Sequence, residues 1–199
     1  MVPALWTGGR AMSAIVVGLD LSLTSTGIAI AEGNAVDVQR IRSTGPKGAP
    51  TDFTADRIAT IAGKILTEVT RDPVDLIVIE GPSFGSTGNA LHQLGGLWWH
   101  VVIELHMAGH GVAVVSPQTR AKYATGKGGA GKDEVLAAVV RRYPDVDVTG
   151  NDVADAVVLA AMGCRWLGRP VDDLPKVNLA AMDGAKWPAT APALTDALL

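Results

Sequence analysis

Cysteine and histidine, the usual ligands of zinc, are scarce in this chain. Cys164 is the single cysteine, so no disulfide can form within the chain, which is typical of proteins from a reducing compartment. His106 and His110 are four residues apart, but Gly109 lies between them, where a helix is expected to end. No third ligand is evident, and the sequence therefore does not indicate a zinc site.

Long hydrophobic runs and a strong net charge are also missing. No apolar run reaches the length of a membrane span, and residues 1–13 lack the central apolar stretch of a signal peptide. The net charge is −3, which argues against a wholly basic nucleic-acid coat. Hydrophobic residues still make up 48% of the 199 residues, enough to bury a core. We expect a cytoplasmic protein without a membrane partner, with residues 1–13 as a disordered extension.

β-Branched runs and helical periodicity predict an α/β domain over residues 14–168. Strands are expected over residues 15–20, 27–32, 36–43, 74–80 and 111–116. Helices are expected over residues 51–71, 87–108, 132–142 and 151–167, with a short helical turn from residue 117. This order indicates a five-stranded mixed sheet flanked by helices, with strands 1–3 antiparallel and strands 4 and 5 parallel to strand 1. The last residues, 169–199, are rich in Ala, Pro and Asp and are expected to form a loosely ordered tail.

Two acids stand where predicted strands end. Asp20 ends the first strand and Glu80 ends the fourth. If these strands are neighbours, both carboxylates lie at one edge of the sheet, where open α/β sheets place their sites. Taken singly, Asp20 also fits a turn cap, and Glu80 also fits an exposed strand end.

A second pair of acids, Asp152 and Asp155, begins the last predicted helix. Their spacing puts both carboxylates on one face, near the positive end of the helix. For one helix taken alone, capping is the better explanation of such a pair. Four carboxylates at one site would repel one another unless they share a divalent cation, and oxygen-only ligands select magnesium or manganese.

These motifs resemble those of the RuvC family of Holliday-junction resolvases, within the ribonuclease H-like superfamily. The resemblance covers about residues 14–168. It rests on residues 18–27 (GLDLSLTSTG), on Ile79-Glu80 with Phe84 four places on, on the Gly-rich run with Lys132, and on residues 151–156 (NDVADA). The family places one acid on strand one, one at the end of strand four and a pair on the last helix. The four acids of this chain match those positions in order and spacing.

The resemblance implies a ribonuclease H-like fold, a homodimer and two Mg²⁺ ions per active site, for which Mn²⁺ can substitute. It implies a structure-selective endodeoxyribonuclease of DNA recombination and repair, which cuts Holliday junctions and other branched DNA and leaves 5′-phosphates. The metal ligands would be Asp20, Glu80, Asp152 and Asp155, with Lys132 as a further catalytic residue. The Ala-, Val- and Gly-rich composition suggests a GC-rich source, such as a phage of such a host.

Positive charge is concentrated between residues 116 and 143, where six basic and two acidic residues stand. Phosphate contacts supply most nucleic-acid affinity. DNA contacts are therefore predicted for Arg120, Lys122, Lys127 and Lys132. Arg141 and Arg142 fit phosphate contact and an ordinary solvated surface equally well.

Two apolar features suggest further contacts. Phe84 fits stacking on an unpaired base at a junction and equally fits a core anchor beneath its turn. The helix over residues 87–108 is apolar on more than one face, with Trp98 and Trp99 adjacent. One face can cover the sheet and the other a second subunit, which predicts a homodimer.

Four alternatives remain open at this point. Residues 126–132 match the first seven positions of a P-loop, although Asp133 stands where a nucleotide-hydrolysing protein needs Ser or Thr. An actin-like ATPase has a first phosphate loop like the run after Asp20, but it needs two such domains. A YqgF-type RNA-processing nuclease would keep the same fold. A non-catalytic DNA-binding subunit would be expected to have lost one of the four acids, and none is missing.

Overall fold

Five strands form one sheet in the order β3-β2-β1-β4-β5. The computed structural model describes residues 14–70, 73–82 and 89–189. The strands are β1 (Ile15–Asp20), β2 (Ser25–Glu32), β3 (Ala35–Arg42), β4 (Leu76–Glu80) and β5 (Val112–Val115). The helices are α1 (Thr51–Val69), α2 (Asn89–Met107), α3 (Pro117–Thr125), α4 (Lys132–Arg142), α5 (Asn151–Trp166) and α6 (Lys176–Leu179), followed by a 3-10 helix, Met182–Gly184.

The central strand, β1, decides the character of the sheet. It pairs antiparallel with β2 and parallel with β4, while β2 pairs antiparallel with β3 and β4 parallel with β5. Gly33, at a φ of 59°, forms the turn between β2 and β3. Such a left-handed backbone favours glycine in tight hairpins. The predicted five-stranded mixed sheet is confirmed.

Both faces of the sheet are covered, which explains why its central strands are continuously apolar. On one face, Val17 and Ile77 pack with residues of α1 and α2 such as Ile65 and Val101. On the other face, the core is formed mainly by α5, whose residues 153–164 are all buried, together with α3 and α4.

A small residue on β1 lets α5 lie directly against the sheet. A Cβ atom on Gly18 would lie 2.1 Å from the carbonyl oxygen of Ala156, so no larger residue fits there. This close approach brings the start of α5, with its pair of acids, to the end of β1, where Asp20 stands. No helix in residues 14–70, 73–82 and 89–189 is long and apolar enough to cross a membrane.

The C-terminal segment departs from the expectation of a loosely ordered tail. Leu174 and Ala181 are buried, Trp187 stacks on Trp166 with ring centroids 5.4 Å apart, and Lys186 pairs through its backbone with Val114. The expectation is therefore wrong up to residue 189. The sequence did not indicate this packing, because the apolar residues that anchor the segment are scattered through an Ala- and Pro-rich stretch without helical or strand periodicity. Residues 1–13 and 190–199 lie outside the described residues.

A buried carboxylate fastens this segment to the domain. Asp172 accepts hydrogen bonds from the hydroxyls of Tyr123 (2.9 Å) and Tyr143 (2.6 Å) and pairs with the Arg165 guanidinium (2.6 Å). Burial and the Asp172 charge raise the pKa of both tyrosines, so their hydroxyls stay protonated as donors.

Tyr143→Phe is expected to lower the free energy of unfolding by about 1.5 kcal/mol, because it removes one hydrogen bond to a charged group. Urea denaturation measures the loss. Val140→Ala, at an exposed position on the same part of the chain, is the control and should change stability little. Equal stabilities for Tyr143→Phe and the wild type would show that the hydrogen bond from Tyr143 to Asp172 does not help to hold the segment.

Candidate active site

Three carboxylates from distant parts of the chain meet at the edge of the sheet. Asp20 ends β1 and Glu80 ends β4, and the register pairs Leu19 with Ile79, so the two acids are neighbours. Asp155, which is 4% exposed, reaches the same place from α5. Burial raises the pKa of Asp20 well above its ordinary value, and the charges of Glu80 and Asp155 raise it further. The structure thus brings together three of the four predicted acids.

A buried guanidinium lies between two of these acids. Arg120, on α3, is 6% exposed; its Nε donates to Glu80 Oε2 and its Nη1 to Asp155 Oδ1. Burial raises the pKa of Asp155 to about 7, although Arg120 acts in the opposite direction. Lys132 also lowers the pKa values of Asp20 and Asp155 by its charge, which places this predicted catalytic residue beside the cluster.

The fourth acid, Asp152, is turned to other partners. Its Oδ1 accepts from Arg40 Nη2 on β3 at 2.6 Å, and its Oδ2 accepts from the Ser25 hydroxyl on β2. The N-cap residue of α5 is Gly150, so Asp152 lies inside the first turn of the helix rather than at its cap. Its backbone still lies near Asp20, because a Cβ atom on Gly27, the partner of Asp20 across the sheet, would lie 2.0 Å from the Asp152 carbonyl oxygen.

The carboxylates of these acids are suitable ligands for a divalent cation, but they are not arranged as a metal site. Within residues 14–70, 73–82 and 89–189, no three His, Cys, Asp or Glu side chains are close enough to hold a metal ion together. Glu80 and Asp155 pair with Arg120 instead, and Asp152 pairs with Arg40. The carboxylates offer only oxygen donors, and their mutual repulsion is the condition that a shared Mg²⁺ or Mn²⁺ relieves.

A small cavity opens over Asp20 and Glu80. Its volume is about 90 Å³, and its far wall is formed by Leu91, Leu94 and Trp98 of α2. The indole Nε1 of Trp98 donates to the Glu80 carbonyl oxygen at 2.9 Å, which holds the end of β4 in place. The sequence predicts Trp98 on the dimer helix beside Trp99, and no local pattern indicates this contact.

The predicted DNA contacts divide into three groups. Arg120 is buried against two carboxylates, and its contact with phosphate stays a prediction. Lys127 and Lys132 are exposed and Lys122 is half-buried, so these positions remain predictions. Phe84 lies outside the described residues.

The glycine-rich loop does not have the setting of a P-loop. Gly126, at a φ of 84°, caps α3, and Gly131 is the N-cap of α4, so the loop joins two helices. A phosphate-binding P-loop follows a strand directly. The structure therefore argues against nucleotide hydrolysis at residues 126–132.

Comparison with known proteins gives one curated relative and several similar structures. No family model matches the chain. A crossover junction endodeoxyribonuclease RuvC from Zymomonas mobilis subsp. mobilis is 28% identical over 148 residues, which is 73% of this chain and 87% of the relative.

The similar structures share the fold at low sequence identity. T. thermophilus RuvC in complex with a Holliday junction substrate has a TM-score of 0.61 at 16% identity, over 78% of this chain and 97% of that chain. The yeast mitochondrial Holliday junction resolvase Ydc2 has a TM-score of 0.54 at 15% identity, over 79% of this chain and 80% of that chain. The chain thus resembles a RuvC protein in sequence over most of its length, and it shares the fold of these Holliday junction resolvases.

Proposed function

We propose that this protein is a metal-dependent, structure-selective endodeoxyribonuclease that resolves Holliday junctions in the cytoplasm. The observation that carries the proposal is the meeting of Asp20, Glu80 and Asp155 at one edge of the sheet, on the elements that the resemblance assigns to them. The name of the curated relative and the junction DNA bound to T. thermophilus RuvC support the same activity.

Each charged residue at this site would have its own role in the reaction. Asp20, Glu80 and Asp155 would hold the cations, with Asp152 as a fourth ligand or as the residue that positions water. When bound, two Mg²⁺ ions, for which Mn²⁺ could substitute, would supply activation of water and stabilisation of the leaving 3′ oxygen, and the product would carry a 5′-phosphate. Lys132 would contact the phosphate beside the acids. Arg120 would release Glu80 and Asp155 when the cations bind. A carboxylate paired with a guanidinium has fewer oxygens left for a metal, so the two pairings compete.

A cleavage assay tests the proposal. Purified protein is incubated separately with a four-way junction, a replication fork, a flap, a linear duplex and a structured RNA, in Mg²⁺ or in a chelator. We expect cutting of the four-way junction in Mg²⁺ only, with 5′-phosphates that DNA ligase can join. Cleavage of the RNA with every DNA left intact would favour a YqgF-type nuclease instead. Intact nucleic acids together with ATP hydrolysis would favour the nucleotide-hydrolysing alternative.

The proposed homodimer forms through α2. Three large apolar side chains stand four residues apart on this helix and are exposed: Trp99 by 59%, Ile103 by 49% and Met107 by 77%. Leu97, Val101 and Leu105 face the sheet on the opposite side. A symmetric pair of subunits would bury the same exposed stripe twice and provide two active sites for two strands.

Ile103→Lys is expected to shift the protein from dimer to monomer at micromolar concentration, because it puts a charge into an apolar interface. Sedimentation velocity measures the change. Val140→Lys, which alters an equally exposed valine on α4, is the matched control and should leave the dimer intact. A wild type that sediments as a monomer, or a variant that stays dimeric, would contradict an interface at α2.

A further inference from the structure

A second polar cleft lies on the side of the domain formed by α3, α4 and the C-terminal segment. Its volume is about 650 Å³. The residues that line it include Lys127, Glu134, Arg141, Arg142, Pro175 and Asn178. None of the three carboxylates described above lines it, so the cleft is separate from the candidate active site.

The charge of this cleft is positive and largely unpaired. Lys127, Arg141 and Arg142 line it, and none of them forms an ion pair with a residue of the described ranges. The single acid, Glu134, is held at the start of α4, where its Oε2 accepts a hydrogen bond of 3.0 Å from the Gly131 amide. The cleft therefore presents an excess of positive charge to whatever enters it.

Arg142 is held in place while one nitrogen of its guanidinium has no hydrogen-bond partner. Its Nη2 donates to the Ala124 carbonyl oxygen at 2.7 Å, while its Nη1 is buried and has no hydrogen-bond partner. A buried N–H without an acceptor is rare and unfavourable. An anionic oxygen drawn into the cleft would satisfy it after a small shift of the side chain.

The lining points to phosphate rather than to bases. No aromatic side chain is among the residues that line the cleft, so a base has no platform on which to stack. Guanidinium groups and a lysine are the donors that bind phosphate oxygens, and phosphate contacts position DNA without reading its sequence.

The glycine-rich loop joins this cleft to the active site. Lys127 lies on the loop and lines the cleft, while Lys132, at the far end of the same loop, acts by its charge on Asp20 and Asp155. One continuous nucleic acid can therefore contact both ends of the loop.

The C-terminal segment completes the opposite wall. Pro175 and Asn178 come from the part that folds back on the domain, and Asn178 Nδ2 donates to the Tyr123 carbonyl oxygen at 2.8 Å.

We propose that this cleft binds the phosphate backbone of one double-helical arm of a branched DNA whose cut strand lies at Asp20, Glu80 and Asp155. The proposal rests on the nuclease function proposed above and adds the place where an arm is held. Folding of residues 170–189 against α3 gives the cleft its depth, so the C-terminal segment contributes to substrate binding.

The test compares charge-removing variants by fluorescence anisotropy, with a labelled four-way junction and no divalent cation. Arg141→Gln and Lys127→Gln alter exposed residues, so both proteins should fold. Each is expected to reduce the slope of log affinity against log salt by about 0.9, and the double variant by about 1.8. Between 50 and 200 mM salt, the wild type should then lose about tenfold more affinity than the double variant. Lys64→Gln, on α1 at the other face of the sheet, is the matched control and should keep the wild-type slope.

Arm length gives the second measurement. For each junction, the dissociation constant of the double variant is divided by that of the wild type. This ratio should be near one for junctions with short arms and should rise to a plateau once an arm is long enough to reach the cleft. If the wild type binds junctions and both variants keep its affinity and its salt dependence, the cleft proposal alone is overturned. A wild type that prefers no branched DNA over a linear duplex overturns the nuclease proposal on which it rests.

Discussion

Asp155→Asn is expected to reduce cleavage of a four-way junction by at least about 100-fold and to leave the protein folded. Replacing a residue that only supports a metal ligand typically lowers activity or metal affinity 10- to 100-fold, so loss of a ligand itself should cost at least as much. Asparagine keeps the shape of the side chain and can still accept from Arg120, but it removes the charge that attracts the cation. Single-turnover cleavage in Mg²⁺ measures the loss, and Asp37→Asn, at an exposed acid on β3, is the control.

The same variant should change the pH dependence of stability in a defined direction. The pKa of Asp155 is raised from 3.8 to about 7, mainly by burial, so the folded state holds this proton more tightly than the unfolded chain. The stability it contributes is full below about pH 4 and is lost as the pH rises towards 7. Asparagine cannot ionise, so the metal-free variant should lack this loss.

Thermal unfolding in chelator from pH 4 to pH 8 checks this expectation. At pH 8 the melting temperature of Asp155→Asn should equal or exceed that of the wild type. A marked loss of stability, with cleavage retained in the folded fraction, would show that Asp155 is structural.

Asp152→Asn tests the fourth acid in the same cleavage assay. A similar loss of cleavage would support its predicted role as fourth ligand, and full cleavage would leave it as the partner of Arg40.

Arg120→Gln is expected to lower the free energy of unfolding of the metal-free protein by about 3 kcal/mol at pH 8, because it leaves buried Asp155 and half-buried Glu80 without their cation. The loss should be smaller at pH 5, where Asp155, with a pKa of about 7, takes up a proton instead. Added Mg²⁺ should restore most of the lost stability, because it supplies the missing positive charge. Calorimetry should also show tighter Mg²⁺ binding, since the guanidinium no longer competes for the same oxygens.

Arg165→Gln is the matched control for this test. Arg165 also pairs with a buried carboxylate, that of Asp172, which lies in the C-terminal network rather than among the three acids. Its loss should destabilise the protein equally with and without Mg²⁺. If Arg120→Gln behaves in the same way, and its Mg²⁺ affinity equals that of the wild type, Arg120 is a structural residue and does not compete with the metal.

The sequence alone determined the elements and the general place of the site. Continuous β-branched runs in β1 and β4 predict buried central strands, because only strands covered on both faces are apolar at every position. Asp20 and Glu80 then follow at the same edge, since neighbouring parallel strands end on the same side of a sheet. Each strand and the acid at its end can be predicted from residues close together in the chain, whereas the pairing of β1 with β4, which makes the two acids neighbours, comes from the structure.

Tertiary structure alone decided which charges pair. Arg120 meets Glu80 and Asp155 across 40 and 35 residues, and Arg40 meets Asp152 across 112. It also decided that Asp172 anchors residues beyond the last long helix. A charged side chain has the same local pattern whether it faces solvent, DNA or a buried partner. Its pairing depends on where folding places distant groups, and so Arg120, predicted to contact DNA, instead lies between two of the predicted metal ligands.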